Sequence, residues 1–353
     1  MVGACNHSAE FSDVFERHWI VLIGYLLYGI VGLITVIGSF VVMVVIGRNH
    51  TLHSRNYVLL ASLAAADFIV GVQFVVGGAR RSHLLLTDSD CLLTSPFYCL
   101  TQTGNVICYI FGAPCSILVT AVISLDKLRA VRTVRRCGTL SNRFSYGCVV
   151  LAYALSLGLL GSAFVSSYEV RDHNVSIICL TVHAVPWGHN VAFGVIQILA
   201  GLVSIFCYLA AYLTVRTKFR KLSYYLMPKH QRDRARQEIV LMKNLSIIII
   251  ATFFLNTIPN ITLLFVSVFF KDTYWIDKAL PYIYLLVGSN SCINVFVYAR
   301  KYPKFRTGLV ALFCGRCCHT PVPASLSRRN QSAGKLSIIS EKFGSFLNWR
   351  IDV

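Results

Sequence analysis

Seven stretches of this chain are apolar over lengths close to or above the roughly 20 residues that a helix needs to cross a bilayer. They lie near Trp19–Ile46, Tyr57–Gly78, Tyr98–Leu125, Tyr146–Ser166, Val191–Val215, Leu245–Phe270 and Leu280–Tyr298. With no water in the hydrocarbon, each segment has to satisfy its own backbone hydrogen bonds, and runs of this length do so as helices. The short alternating strands of a membrane barrel are absent from the pattern. A soluble protein with buried helices needs polar helix faces, which these segments lack. The chain as a whole is 56% hydrophobic and 14% charged, whereas a soluble domain is about a quarter charged. The expected fold is an all-α membrane protein, a seven-transmembrane helix bundle over residues 19–298. Residues 1–18 precede it, a short amphipathic juxtamembrane helix follows over 299–313, and a disordered tail occupies 314–353.

Charge placement orients the bundle. If the N-terminus is outside, 27 of the 33 lysines and arginines fall on the cytoplasmic side, leaving only Arg17, Arg80, Arg81, Arg171, Lys271 and Lys278 outside. Such asymmetry follows the positive-inside rule. The net charge of +18 is then explained by orientation and by attraction to anionic lipid, and nucleic acid need not be invoked. The sequons Asn6-His7-Ser8 and Asn174-Val175-Ser176 fall outside, so Asn6 and Asn174 are expected to be glycosylated; Asn330-Gln331-Ser332 falls inside and is not. No cleavable leader is visible, and the first span is expected to act as the signal anchor. The expected location is the plasma membrane.

Of thirteen cysteines, Cys5, Cys91, Cys99 and Cys179 face the oxidising exterior. Cys99–Cys179 is the expected disulfide, with Cys91–Cys179 as its rival. Cys314, Cys317 and Cys318 follow a basic amphipathic stretch and suit palmitoylation. A zinc site at "CGRCCH" is the competing reading, without a second cluster to complete the ligand set. The terminal Ile351-Asp352-Val353 resembles a weak ligand for a PDZ domain.

Polar groups inside the spans are expensive and mark function by default. Asp67, in "SLAAADFIVGV", is a lone carboxylate deep in the second span, with no basic residue inside any span to pair with. Ser116 reaches the same depth in the third span. In the seventh, Asn290, Ser291 and Asn294 share one helical face. This oxygen-rich set suits a sodium ion or a proton, the alternative being an interhelical hydrogen-bond knot without an ion. No other cofactor is expected.

Seven spans, "SLAAAD", "ISLDKLRAV" ending the third span, Pro259 in "FFLNTIPN", "NSCINVFVY" in the seventh and the following "ARKYPKFR" together resemble the rhodopsin-like (class A) G-protein-coupled receptors. The resemblance runs from the first span to Arg306. It implies a receptor that transmits an extracellular small-molecule or peptide signal to heterotrimeric G proteins, with arrestin and a receptor kinase as further partners. Asp126-Lys127-Leu128 stands where the family carries Asp-Arg-Tyr, which implies that Asp126 restrains Lys127 until activation. The bland reading of Lys127 is a cation that snorkels to the headgroups. The sixth span is expected to pivot at Pro259. Basic residues from Arg216 to Lys243 are expected to line the docking face, and Tyr298 and Phe305 to pin the amphipathic helix.

Position within the family implies a pocket of Asn105, Tyr109, Asn260, Ile261 and Tyr284. Tyr109 stands where amine receptors carry an aspartate, Gly288 where opsins carry the retinal lysine, and Leu264 where adenosine receptors carry an asparagine. Other departures are Lys127 for arginine, Thr257 for the sixth-span tryptophan, and Val295 for the proline after Asn294. Cys99 also lies about one helical turn further from Asp126 than the family spacing places it. Two rival classes remain. An ion-coupled transporter or channel would use Asp67, Ser116, Asn290 and Asn294 as a path, but shows no inverted repeat here. An intramembrane enzyme is not expected, since all ten histidines lie outside the spans or at their edges.

Overall fold

The computed structural model describes residues 11–87, 92–133, 142–220, 242, 245–269, 273–301 and 303–313. Asn6, Cys91, Cys314, Cys317, Cys318 and most of the basic stretch between Arg220 and Lys243 lie outside them. Contact density divides the chain into Met1–Leu309 and Val310–Val353; the spans and every site discussed below belong to the first unit.

Seven helices are long and apolar enough to cross a membrane: Trp19–Arg48, Arg55–Leu86, Asn105–Arg132, Arg143–Glu169, Trp187–Val215, Leu245–Val266 and Tyr282–Lys301. They are called the first to seventh spans. Two boundaries differ from the hydropathy reading in ways that matter. The second helix does not stop at Gly78 but runs on to Leu86, which carries Arg80 and Arg81 into the helix. The third begins at Asn105, not near Tyr98. Ahead of it lies a separate short helix, Pro96–Gln102, started by Ser95, whose hydroxyl accepts from the Tyr98 N–H at 3.1 Å. The chain breaks at Gly104, whose φ of +61° favours glycine. This break absorbs the extra turn that separates Cys99 from Asp126.

The third span is the axis of the bundle: 72% of its apolar window is buried, against 17% for the fourth, which lies at the periphery. The first two spans approach most closely at small residues. A Cβ on Gly78 would meet the Gly29 nitrogen at 2.8 Å and the Tyr25 carbonyl at 2.9 Å. Between helices in lipid, packing and interhelical hydrogen bonds replace the hydrophobic effect as the source of association, so small residues at a contact are what permit it. Outward-facing Leu151, Phe206 and Phe254 remain exposed, as expected of side chains that meet lipid tails.

Two features shape the ends of the bundle. At one, a two-stranded antiparallel ribbon pairs Leu93 with Ser176 and Thr94 with Val175. At the other, the helix Pro303–Phe313 buries Phe305, while Gly308 packs on Val45 of the first span. The sixth span is irregular by design of its sequence. Pro259 has no N–H to donate and its ring crowds the carbonyl one turn back. The preceding segment, Phe253–Thr257, accordingly opens into a π turn.

Candidate functional site

The polar groups divide into three layers. At mid-depth, Asp67 is fully buried. Its Oδ1 accepts from the hydroxyls of Ser116, at 2.7 Å, and Ser291, at 2.8 Å; its Oδ2 accepts from Asn294 Nδ2 at 2.9 Å. Spans two, three and seven are therefore joined at one carboxylate. Asn290 turns instead to the sixth span, where its Oδ1 accepts from Thr252 Oγ1 at 3.1 Å. Helical geometry explains the split: Asn294 and Asn290 are 40° apart around the axis, enough to aim them at different neighbours.

At the C-terminal end of the third span, Asp126 and Lys127 are both buried. Asp126 Oδ1 accepts from Ser145 Oγ of the fourth span at 2.6 Å, and Oδ2 faces the Arg55 guanidinium, at the start of the second span, at 3.4 Å. Lys127 Nζ donates to Asn56 Oδ1 at 2.7 Å. Arg55 is thus an ion-pair partner of the carboxylate, and the Asn56 amide is a partner of the lysine. Adjacent helical residues point about 100° apart, so each more readily finds a partner on a neighbouring span. Tyr298 is buried close to the inner end of the seventh span.

Toward the opposite end, near the start of the third span, a cavity of about 130 Å³ opens between the third, fifth, sixth and seventh spans. Tyr109, Asn260 and Tyr284 line it, together with Thr181, Asn190 and Phe193. Tyr109 meets the Tyr284 ring edge-on, with centroids 5.3 Å apart. Asn260 Nδ2 donates to Gln197 Oε1 at 3.2 Å and to Asn256 Oδ1 at 2.7 Å, forming an amide ladder between the fifth and sixth spans. Asn105 and Ile261 do not line the cavity. Asn105 is buried beside Gly77 of the second span. Ile261, one residue on from Asn260, is 41% exposed on the outward face.

The cavity's lid is an outer loop held from two ends. Cys99 and Cys179 form a disulfide with Cα atoms 5.2 Å apart. Asn190 Nδ2 donates to the carbonyls of Val182 and Val185. Asn174 is exposed in the same loop, in a position open to a glycan.

Beneath the cavity, the π turn places Thr257 against Gly201 of the fifth span, where a Cβ would collide with the threonine side chain. Gly288 lies on the ring of Phe74 in the same way. The positions that could admit a tryptophan or a lysine are therefore occupied by close helix contacts.

Sequence reasoning missed Arg81. It is 2% exposed. Its Nε donates to the Ile178 carbonyl at 3.3 Å and its Nη2 to the Cys179 carbonyl at 3.2 Å. The rings of Tyr25 and Tyr28 each lie 5.7 Å from the guanidinium. The available signal was an arginine pair at the end of an apolar run on the side that the positive-inside rule keeps poor in cations.

Known proteins share this pattern. Residues 38–298 match the family described as 7 transmembrane receptor (rhodopsin family). Galanin receptor 2a of Danio rerio is 25% identical over 319 residues, covering 87% of this chain and 83% of that protein. Trace amine-associated receptor 9 of Mus musculus is 25% identical over 311 residues, covering 82% and 85% respectively. Sphingosine 1-phosphate receptor 3 of Takifugu rubripes is 21% identical over 286 residues, covering 80% and 68%. With its seven spans and a family match over most of its length, this chain belongs to the rhodopsin family of seven-transmembrane receptors, multi-pass membrane proteins that signal through G proteins.

Proposed function

We propose that the chain is a plasma-membrane receptor with its N-terminus outside, in which a small molecule entering the outer cavity shifts the sixth span and so opens the cytoplasmic face to a heterotrimeric G protein. The observation that carries this reading is the π turn directly below the cavity. Asn260 lines the cavity, and Thr257, three residues earlier, sits in that turn against Gly201. A ligand that moves Asn260 acts on a segment whose hydrogen bonding is already irregular. Such a segment can exchange between two packings at low cost, which is what a population shift requires. The positive-inside bias, and an exposed sequon on the same loop as the disulfide, support the orientation.

The cavity is about the size that accommodates benzene, so the ligand is a compact molecule or the end group of a larger one. Similarity to a trace amine-associated receptor does not bring its ligand across, because Tyr109 occupies the position of the amine receptors' aspartate. Arrestin and a receptor kinase are proposed to act on the cytoplasmic side, and the Cys314, Cys317 and Cys318 thiols to carry palmitate.

A sodium ion fits the Asp67 site chemically. The carboxylate, the Ser116 and Ser291 hydroxyls and the buried Asn294 Oδ1, which has no hydrogen-bond partner, form an oxygen donor set of the kind that holds a monovalent cation. Bound there, the ion would supply charge to the carboxylate and hold the spans in the resting arrangement.

The test is nucleotide exchange on co-expressed G proteins. Arg55→Ala removes the guanidinium that faces Asp126. If that contact restrains the resting state by about 1 kcal/mol, basal exchange rises about fivefold. Silence of the natural chain and of this variant across a broad G-protein panel, with surface expression confirmed, would overturn the reading.

A further inference from the structure

Taking the cavity as the ligand site, as proposed above, we infer that the receptor recognises an acidic ligand, a carboxylate or a phosphate-bearing molecule, whose negative charge is met by Arg81. A buried cation is costly unless it is paired and hydrogen-bonded. Arg81 is 2% exposed, and its hydrogen-bond and ring partners are neutral: the carbonyls of Ile178 and Cys179 and the rings of Tyr25 and Tyr28. Among the described residues, no carboxylate forms an ion pair with it. The two carbonyl bonds use only part of a guanidinium that carries five N–H donors in a planar fork.

Arg80 adds a second cation on the same turn. Its Nη1 is buried and has no hydrogen-bond partner. Two adjacent positive charges at the outer end of one span, one of them almost inaccessible to water, form a region of positive potential that an anion would relieve.

Arg81 is tied to a loop that forms part of the cavity wall. Its acceptors, Ile178 and Cys179, lie two to three residues before Thr181, which lines the cavity. Tyr28, whose ring faces the guanidinium, belongs to the same buried cluster as Cys179 and the lining residues Tyr109 and Tyr284. On this inference, a movement of Tyr284 or of the loop at Thr181 admits the ligand's acid group to the guanidinium. Arginine's fork matches a carboxylate or phosphate bidentately. The residues that line the cavity are all neutral, so the acid group is the part of the ligand that Arg81 selects.

The natural chain, reconstituted in lipid nanodiscs, is tested with pairs of compounds that differ only in charge: small aromatic and aliphatic carboxylic acids against their primary amides, aryl phosphates against their neutral methyl esters, and one long-chain fatty acid against its amide. Thermal stabilisation reads binding without any requirement for a G protein. The expected result is that at least one acid stabilises the receptor while its neutral counterpart does not. Short acids succeeding would indicate a soluble ligand, and success of the long-chain acid alone a lipid one. Arg81→Gln is expected to weaken binding of that acid about a hundredfold, with Arg81→Lys intermediate because it restores the charge without the fork. Neutral partners binding as well as acids throughout the panel would overturn the inference. So would an acid whose affinity is unchanged in a folded Arg81→Gln variant; should that variant fail to fold, the acid-against-amide comparison on the natural chain still decides. Acid-selective binding without nucleotide exchange would leave this inference standing while removing the coupling proposed above.

Discussion

The second span carries two buried charges fourteen residues apart, about 21 Å along its axis, and their surroundings differ in kind. Asp67 is closed: two hydroxyls and an amide, from the third and seventh spans, donate to its two oxygens. Arg81 is open: two carbonyls of one outer loop accept from it, and among the described residues no carboxylate offsets its charge. A charge whose oxygens are held by donors from two other spans ties helices together and resists change. A charge with donors to spare discriminates among the molecules that approach it. The bundle thus holds a joint at mid-depth and a selective site nearer the outside, both on one helix.

The largest expected effect comes from the lid on the open site. Cys179→Ser releases the loop whose carbonyls meet Arg81, and loss of a native disulfide of this kind costs about 2–5 kcal/mol. Ligand response should vanish, and hydrogen exchange should accelerate in the loop around Val175–Ala184 while the inner half of the second span stays protected. Equal acceleration at Asp67 would show that the two regions are one cooperative unit and that the distinction is false.

A smaller effect is expected at the joint. Asp67→Ala removes three interhelical hydrogen bonds, each worth roughly 0.6 kcal/mol in a membrane bundle, for a total near 2 kcal/mol. Thermal unfolding in detergent should show that loss. Replacing sodium with a bulky organic cation should alter ligand potency in the natural chain and leave it unaltered in Asp67→Asn. Sodium sensitivity that persists in Asp67→Asn would place the ion elsewhere or remove it from the account.

The fold was legible in the sequence because spanning a bilayer demands long apolar runs, and such runs can only be helices. Asp67 was legible for the same reason: a carboxylate in such a run is conspicuous, and the three partners that meet it were all among the residues singled out by depth. What escaped depended on direction and on helix length. Hydropathy ended the second span at Gly78, so Arg81 looked like a solvated loop residue and its burial could not be read. The restraint between Asp126 and Lys127 came from their position in the family; that Arg55, Asn56 and Ser145 meet them depends on how the spans pack and could not be read from adjacency. The break at Gly104 was also invisible to hydropathy, since it is a matter of backbone conformation and not of polarity.

The smallest expected effect tests direction on one turn of the sixth span. Asn260 lines the cavity and is tied to Gln197 and Asn256; Ile261 is its neighbour and 41% exposed. Position in the family assigned both to the pocket, but a step of one residue rotates the side chain by about 100° and carries it out of the bundle. Ile261→Ala should therefore leave ligand potency within about twofold, since outward substitutions away from specific contacts change free energies by at most about 0.5 kcal/mol. Asn260→Ala removes a buried amide from a ladder whose Gln197 Nε2 already lacks a hydrogen-bond partner, and should lower potency by about tenfold, close to the value of one such bond left unsatisfied. A concentration–response series on the two variants separates these outcomes. Equal losses would mean that the sixth span rotates on activation far enough to bring Ile261 inward, and the resting cavity would then describe only one of the receptor's two states.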